Sequence, residues 1–150
     1  MSKNKFGLDF DGFLDLARRV DKLGSNALKQ ATENALTKSK DYVNQEVINA
    51  MNSSPYHFTA GEAYSKGRAR TSAEEVAKMP VEWVGTTATA YIGVDFKKAP
   101  EAIILASGTP HLKPDTKLNN ALRVKGAVRK QASQIQQQEF QKVISEEMND

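Results

Sequence analysis

Residues 81–94 read VEWVGTTATAYIGV, and this stretch decides the fold class. Its two strand-like runs, 81–84 and 88–94, are separated by Gly85, Thr86 and Thr87, which is the pattern of a β-hairpin. A hairpin of two strands is only marginally stable alone in water. It must therefore pack on a helix, find further strands in the same chain, or pair with the sheet of another subunit. The stretch predicts an α+β fold with a β-hairpin or small antiparallel sheet packed on a long helix.

Two helices are predicted ahead of the hairpin. The first is short, because an apolar stripe at helical spacing runs from Phe10 to Val20, with Asp9 at its start and Gly24 at its end. The second is long, about 26–51, because that range contains neither proline nor glycine. Its less polar face is rich in small side chains and consists of Leu28, Ala31, Ala35, Ser39, Tyr42, Val43, Val47, Ala50 and Met51.

Prolines and glycines punctuate residues 52–80 and interrupt any regular period. This range predicts a long irregular arm, in which a short helix begins after Thr71 or Ser72. A structureless connection of this length is uncommon inside a compact domain, and it is either disordered or ordered by a partner. We therefore expect the arm to become ordered on assembly.

Helices are predicted again after the hairpin. Pro100 opens a short apolar helix over 101–107, and Gly108 ends it. A C-terminal helix then spans about 119–147 and bends at Gly126.

The composition bounds the chemistry. The chain has 150 residues, of which 39% are hydrophobic, so we expect a single domain over 1–150. It has no cysteine, which excludes a disulfide framework, a thiolate metal site and a cysteine nucleophile. Its two histidines, His57 and His111, have neither an acidic neighbour nor metal-ligand spacing. We expect no catalytic residue, no metal, no cofactor and no membrane-spanning segment.

Charge is distributed unevenly, although the formal net charge is only +3. The range 96–130 has two acidic side chains, Glu101 and Asp115, against the basic residues Lys97, Lys98, Lys113, Lys117, Arg123, Lys125, Arg129 and Lys130. The range 131–150 has Lys142 against the acidic residues Glu139, Glu146, Glu147 and Asp150. This asymmetry fits contact with phosphate, a basic face that meets an acidic face on a neighbouring copy, or an ordinary solvated surface.

A second basic group lies in the predicted arm. Lys66, Arg68 and Arg70 alternate, so in an extended chain they project on one side. Such a row suits contact with a nucleic-acid backbone or with a neighbouring subunit. The candidate assembly or DNA-lumen contacts are therefore Lys66, Arg68, Arg70, Lys97, Lys98, Arg123, Lys125, Arg129 and Lys130. The candidate structural turn is Gly108, Thr109 and Pro110.

Several short motifs resemble those of one protein family. GLDFDGF at 7–13 and KLG at 22–24 resemble its short first helix, and the alanine-rich range 27–47 resembles its long second helix. AYIGVD at 90–95 and, most strongly, AIILASGTPHLKP at 102–114 follow in the same order. The chain is thus similar to the tail-completion or neck proteins of long-tailed double-stranded DNA bacteriophages, the head-tail joining proteins.

The resemblance implies a non-enzymatic structural virion protein that acts as one subunit of a homo-oligomeric ring. The implied partners are copies of the chain itself, other neck and tail proteins (head-closure, tail-terminator or tail-tube proteins), and passing DNA by non-specific contact. The implied location is the virion, at the neck or the top of the tail, after assembly in the host cytoplasm.

Two other functions stay open on the residues alone. A small nucleic-acid-binding protein would use the basic arm and the basic 96–130 block, and its binding would weaken as salt rises. A hydrolase assembled around His57 or His111 is the remoter alternative.

Overall fold

The computed structural model describes residues 4–6, 25–53, 60–85, 87–108, 110 and 113–148. They form three strands and five helices: β1 (Asn4–Phe6), α1 (Ser25–Ser53), α2 (Ala60–Ala77), β2 (Glu82–Val84), β3 (Thr87–Ile92), α3 (Glu101–Ser107), α4 (Thr116–Arg123) and α5 (Gly126–Met148). The predicted α+β class is confirmed, because a small antiparallel sheet packs on a set of helices. The predicted short first helix, which begins at Phe10, lies outside the described residues.

The strands form one antiparallel sheet in the order β1–β3–β2, so β3 is its central strand. β2 and β3 are the predicted hairpin. Val84 is opposite Thr87, and Gly85 in the connection between them has a left-handed φ of 62°, which suits a tight turn. β1 is too short to show a period in the sequence, and only its pairing with β3, with Lys5 opposite Tyr91, identifies it.

α1 confirms the predicted long helix and runs antiparallel to α5. Its first half packs through small side chains against the end of α5, in a cluster of Ala27, Ala31, Ala35, Phe140, Val143 and Ile144. Further along α1, Val43 lies in a cluster with Ala132 near the start of α5. Between these levels Gln136 Nε2 donates a hydrogen bond of 3.1 Å to the Ser39 hydroxyl. The two buried polar side chains therefore satisfy one another across the helix pair.

The second half of α1 faces three other helices. Val47, Ala50 and Met51 form one buried cluster with residues of α2, α3, α4 and the segment after β3, namely Ala69, Ala73, Val94, Ala99, Ala102, Ala106, Leu118, Ala121 and Leu122. The core therefore consists of three clusters along α1, and α3 and α4 belong to the one at its C-terminal end.

The irregular arm predicted over 52–80 is wrong for its described part, because Ala60–Ala77 is the helix α2. Gly67 does not interrupt this helix. Its position is exposed, and a Cβ added there would meet no atom within 4 Å. The buried residues of its second half follow helical spacing and are Ala69, Ser72, Ala73 and Val76. Three of these four side chains are small and are either polar or weakly apolar. The buried face of α2 is therefore less conspicuous in the sequence than its glycines, which predict an irregular segment.

The single C-terminal helix predicted over 119–147 is two helices, α4 and α5. The predicted bend at Gly126 is a full break between two helices, and it includes both Val124 and Gly126, whose φ values of 50° and 60° are left-handed. α4 also begins earlier than expected, because the Asp115 carboxylate accepts a hydrogen bond of 3.1 Å from the Leu118 backbone N–H. The break lets α4 contact α3 while α5 packs along α1.

Candidate functional site

Two of the three large apolar side chains of the short helix α3 are exposed, whereas its alanines and, in part, Leu105 pack against the core. Its buried residues are Ala102 and Ala106, at 0% and 3% exposure. Ile103 and Ile104 face outward, at 45% and 51% exposure. Burial of an isoleucine is favoured over exposure by about 1.5–3 kcal/mol, so the usual arrangement would be the reverse. Ile103 and Ile104 form an exposed apolar patch, called here the isoleucine patch.

α3 is held firmly at both ends. Pro100 precedes it with φ −64° and ψ −23°, and Gly108 ends it with φ 76° while its N–H donates a hydrogen bond of 2.8 Å to the Ile104 carbonyl. The Asp115 backbone N–H donates a further hydrogen bond of 2.9 Å to the Leu105 carbonyl. Of the candidate turn, Gly108 thus has the predicted structural role, Pro110 is exposed, and Thr109 lies outside the described residues.

Arg68 joins α2 to the start of α3. Its Nε donates to Glu101 Oε1 at 3.2 Å and its Nη2 donates to Glu101 Oε2 at 2.9 Å, in a two-bond arrangement. The Glu101 side chain is only 12% exposed, whereas Arg68 is 42% exposed. Arg68 therefore joins α2 to the start of α3, and its side chain remains partly exposed there.

The predicted basic row of the arm does not exist as a row. On a helix, residues two apart differ in direction by about 200°, so Arg68 and Arg70 lie on different sides of α2. Arg70 contacts Glu74 of its own helix, with Nε 3.6 Å from Oε1, and both side chains are exposed. Lys66 lies in α2, but its side chain is not among those described.

Two further predicted cations lie near α3. Lys98 Nζ donates a hydrogen bond of 2.9 Å to Glu75 Oε2, and that bond, together with the charge of Glu75, raises the pKa of Lys98. Arg123 Nη2 donates to the Ser107 hydroxyl at 3.3 Å, at the C-terminal end of α3. Arg68 and Arg123 therefore flank the isoleucine patch at its two ends. Lys97 is exposed on the turn that leads to α3.

The remaining predicted cations lie at the junction of α4 and α5. Lys125, Arg129 and Lys130 are exposed there, and the acidic residue of the range 113–130, Asp115, is buried as the cap of α4. All exposed charges described in that range are therefore positive. A cleft of about 300 Å³ opens between this junction and the end of α1, with Glu46, Lys117 and Lys125 in its lining. Its lining has mixed charge and specifies no ligand class.

The other end of α5 is acidic. Glu146 and Glu147 lie in its last turn, which has no basic residue. Glu139, about two helical turns before Glu146, is buried and forms an ion pair of 2.7 Å with Lys38 of α1. The Glu146 side chain in the last turn is exposed.

Two buried polar residues of α1 were not identified as important from the sequence. Lys40, at 6% exposure, donates hydrogen bonds of 3.0 Å to the Ala77 and Met79 carbonyls at the end of α2. Asn44 donates 3.2 Å to the Tyr91 carbonyl and accepts 2.9 Å from the Gly93 N–H. The available signal is their position, because each lies at helical spacing from Leu36, Val43 or Val47 on the buried face.

Other kinds of site find no support in the described part of the chain. Within it, no group of three or more histidine or acidic side chains is placed to hold a metal ion. His57 and His111 both lie outside the described residues. No helix of that part is long and apolar enough to cross a membrane.

No protein-family model, curated protein or solved structure matches this chain. Its function has to be inferred from the geometry of the described residues and from the sequence resemblance.

Proposed function

We propose that this chain is a structural virion protein of a tailed bacteriophage. In this proposal it is a ring-forming subunit of the neck or tail-completion complex that joins head to tail. The observation that carries the proposal is the isoleucine patch, two large apolar side chains exposed on a helix that is firmly held in place.

The patch supports a protein-binding role because of what surrounds it. α3 is anchored by buried alanines, a Pro100 start, a Gly108 end and the Arg68–Glu101 contact, so its outer face does not depend on flexibility. A preformed apolar face with arginines at its edge is typical of protein interfaces, where apolar anchors and arginine contribute most of the binding energy. Exposure of both isoleucines in an isolated subunit is costly, and a partner would bury them.

The position of the patch in the sequence links it to the phage resemblance. Ile103 and Ile104 lie within residues 102–114, the range in which the resemblance to the neck family is strongest. The proposed partners are therefore copies of this chain and the head-closure, tail-terminator or tail-tube proteins of the same particle. The proposed location is the neck or the top of the tail.

A second function, nucleic-acid binding, is favoured by one observation. All exposed charges described over 113–130 are positive, and such a surface attracts phosphate without regard to sequence. Within a ring the same cations would make weak contact with passing DNA. The two functions differ in whether DNA affinity or self-association is the stronger property.

The proposed function is tested by native mass spectrometry and sedimentation of the wild type and of I103S/I104S. We expect the wild type to form a discrete oligomer, and we expect the double variant to associate at least about thirtyfold more weakly, equivalent to about 2 kcal/mol. V84S is the matched control, because Val84 on β2 is 78% exposed and lies outside the patch. V84S should assemble like the wild type.

Two results would count against this proposal. One is equal loss of assembly in V84S and I103S/I104S, which would remove the special role of α3. The other is a wild type that stays monomeric at every concentration while it binds DNA tightly at low salt, which would favour the nucleic-acid alternative.

A further inference from the structure

We infer that copies of this chain associate head to tail, with the isoleucine patch and its flanking arginines on one copy against the acidic last turn of α5 on the next. This inference rests on the proposed function and specifies the contact by which the ring would form. It commits to a second copy as the occupant of the patch.

The two surfaces lie at opposite ends of the subunit. The end of α5 packs at the level of Ala27 on α1, and α3 packs in the cluster that includes Val47. Twenty helical residues separate these levels, which is roughly 30 Å at the rise of an α-helix. The surfaces are therefore too far apart to meet within one copy. A contact between them is heterologous, and repetition of a heterologous contact gives a ring when the rotation closes.

The charges of α5 are arranged against its own stability. A helix favours acidic residues at its N-terminus and basic residues at its C-terminus, because of its macrodipole. α5 has no acidic residue in its first turn, where Arg129 follows Lys125, and has Glu146 and Glu147 with no basic residue in its last turn. The residues at both ends of α5 therefore have the charge sign that its macrodipole disfavours.

Among the side chains that the structure describes, no cation forms an ion pair with Glu146. Lys142, one turn before Glu146, makes no ion pair with it. Lys29, near the start of the adjacent α1, has its Nζ over the ring of Trp83, 5.2 Å from its centroid. Lys38 is already paired with Glu139. In the described part of the chain, Glu146 of the last turn of α5 is therefore exposed and has no ion-pair partner.

The isoleucine patch has the complementary character. Arg68 lies at the start of α3 and Arg123 at its end, and the exposed charges of the neighbouring junction are positive. Two patches placed against each other would bring arginine against arginine, which disfavours a symmetric pair. Against the acidic end of another copy, the isoleucines lose water while the arginines meet carboxylates. Charge complementarity thus selects the head-to-tail arrangement.

The decisive experiment reverses the charge of one of the two surfaces at a time. R123E/K125E makes the patch end negative, and E146K/E147K makes the α5 end positive. Each variant alone has like charges across every head-to-tail contact, so we expect its association to weaken about tenfold or more. A one-to-one mixture has opposite charges at every contact and should assemble into oligomers in which the two variants alternate. A chain with all four substitutions should also assemble.

R70E/E74K is the matched control. It reverses an exposed pair on α2, keeps the net charge, and should leave assembly unchanged. Circular dichroism and the fluorescence of Trp83 confirm that every variant is folded. If wild type assembles and I103S/I104S does not, but the mixture fails to restore assembly, the head-to-tail contact is overturned and the proposed function stands. If wild type itself does not associate, both are overturned.

A cross-linking experiment tests the contact independently of its strength. The chain has no cysteine, so I104C/E146C introduces the only two thiols. The roughly 30 Å between the two levels excludes a disulfide within one copy, because bridged Cα atoms lie within about 7 Å. We expect a ladder of disulfide-linked oligomers that ends at the ring, and a single linked dimer when I104C and E146C chains are mixed. If the wild type is oligomeric and neither disulfide-linked product forms, the head-to-tail contact is overturned.

Discussion

Arg68 and Glu101 form a two-bond ion pair that joins α2 to α3, with distances of 3.2 Å and 2.9 Å between the guanidinium nitrogens and the carboxylate oxygens. The Glu101 side chain is largely buried and the Arg68 side chain is partly exposed. This pair determines how α2 lies against the helix that presents the isoleucine patch. A residue predicted from the sequence to contact DNA therefore has a first role in the fold.

R68A should destabilise the protein by about 1 kcal/mol, because it leaves the buried Glu101 carboxylate without its charged partner. The value is discounted for the exposure of Arg68. Urea unfolding followed by Trp83 fluorescence measures it. R70A is the control, since the Arg70–Glu74 contact is longer and exposed on one helix, and it should change the free energy of unfolding by less than about 0.5 kcal/mol. Equal effects of the two substitutions would refute the role given to Arg68.

K40M should loosen the end of α2. The Lys40 ammonium donates to the carbonyl of Ala77, the last residue of α2, and to that of Met79 just after it, and the last turn of α2 has no basic residue of its own. Loss of these bonds leaves buried carbonyl groups unpaired, which costs about 1–3 kcal/mol. Hydrogen exchange should accelerate in residues 69–77 more than in α5. K130M, at an exposed position of α5, is the control and should leave hydrogen exchange unchanged both in residues 69–77 and in α5.

N44A should cost about 2 kcal/mol, because one buried amide serves both a carbonyl and an N–H at the end of β3. At the end of β3, the Asn44 side chain makes hydrogen bonds to the backbone that a neighbouring strand would otherwise make. Q45A provides the control, since Gln45 is exposed and bonds only with Asn49 of its own helix. A cost for N44A no larger than that for Q45A would show that the Gly93 N–H and the Tyr91 carbonyl find other partners.

The free energy of unfolding should decrease at alkaline pH, because the Tyr91 hydroxyl loses its proton. Its hydroxyl donates a hydrogen bond of 2.8 Å to Glu82, and this bond, then burial, then the charge of Glu82 raise the pKa of Tyr91 above 10.0. Because the folded protein holds this proton more tightly, the contribution is complete below pH 10 and is lost as pH rises through the higher folded pKa. Melting temperatures from about pH 9 to about pH 11.5 should fall less steeply in Y91F and E82Q than in the wild type. E33Q, at an exposed position of α1, should follow the wild type.

Local patterns predicted those elements whose cause is local. The long α1, the hairpin and the helix that Pro100 and Gly108 delimit follow from residues within each element. α2 does not, because its glycines are tolerated only once Ala69 and Val76 are buried by tertiary contacts. The break between α4 and α5 has a local signal in Gly126, whose φ is left-handed, but the left-handed φ of Val124 does not follow from its own residue type, since a β-branched residue seldom adopts it.

The candidate site was predictable in composition and not in arrangement. The sequence identified the basic range 96–130 and the acidic range 131–150, and it identified α3 as a helix. Which face of α3 is buried depends on neighbours that are distant in sequence, such as Val47 and Leu118. A helix of seven residues is too short for its own period to decide this. The outward direction of Ile103 and Ile104 therefore required the structure.

The reversed arrangement of α3 leads to a stability test that does not depend on assembly. A106V adds two carbons at a buried position and should cost about 1–3 kcal/mol through overpacking, whereas I104A removes three carbons at an exposed one and should cost less than about 0.5 kcal/mol. An ordinary amphipathic helix would give the opposite order, because truncation of a buried isoleucine costs more than enlargement of an exposed alanine. Urea unfolding of both variants at low protein concentration compares them as free subunits. If I104A proves the more destabilising, α3 is oriented with its isoleucines inward, and the patch on which the assembly proposal rests does not exist.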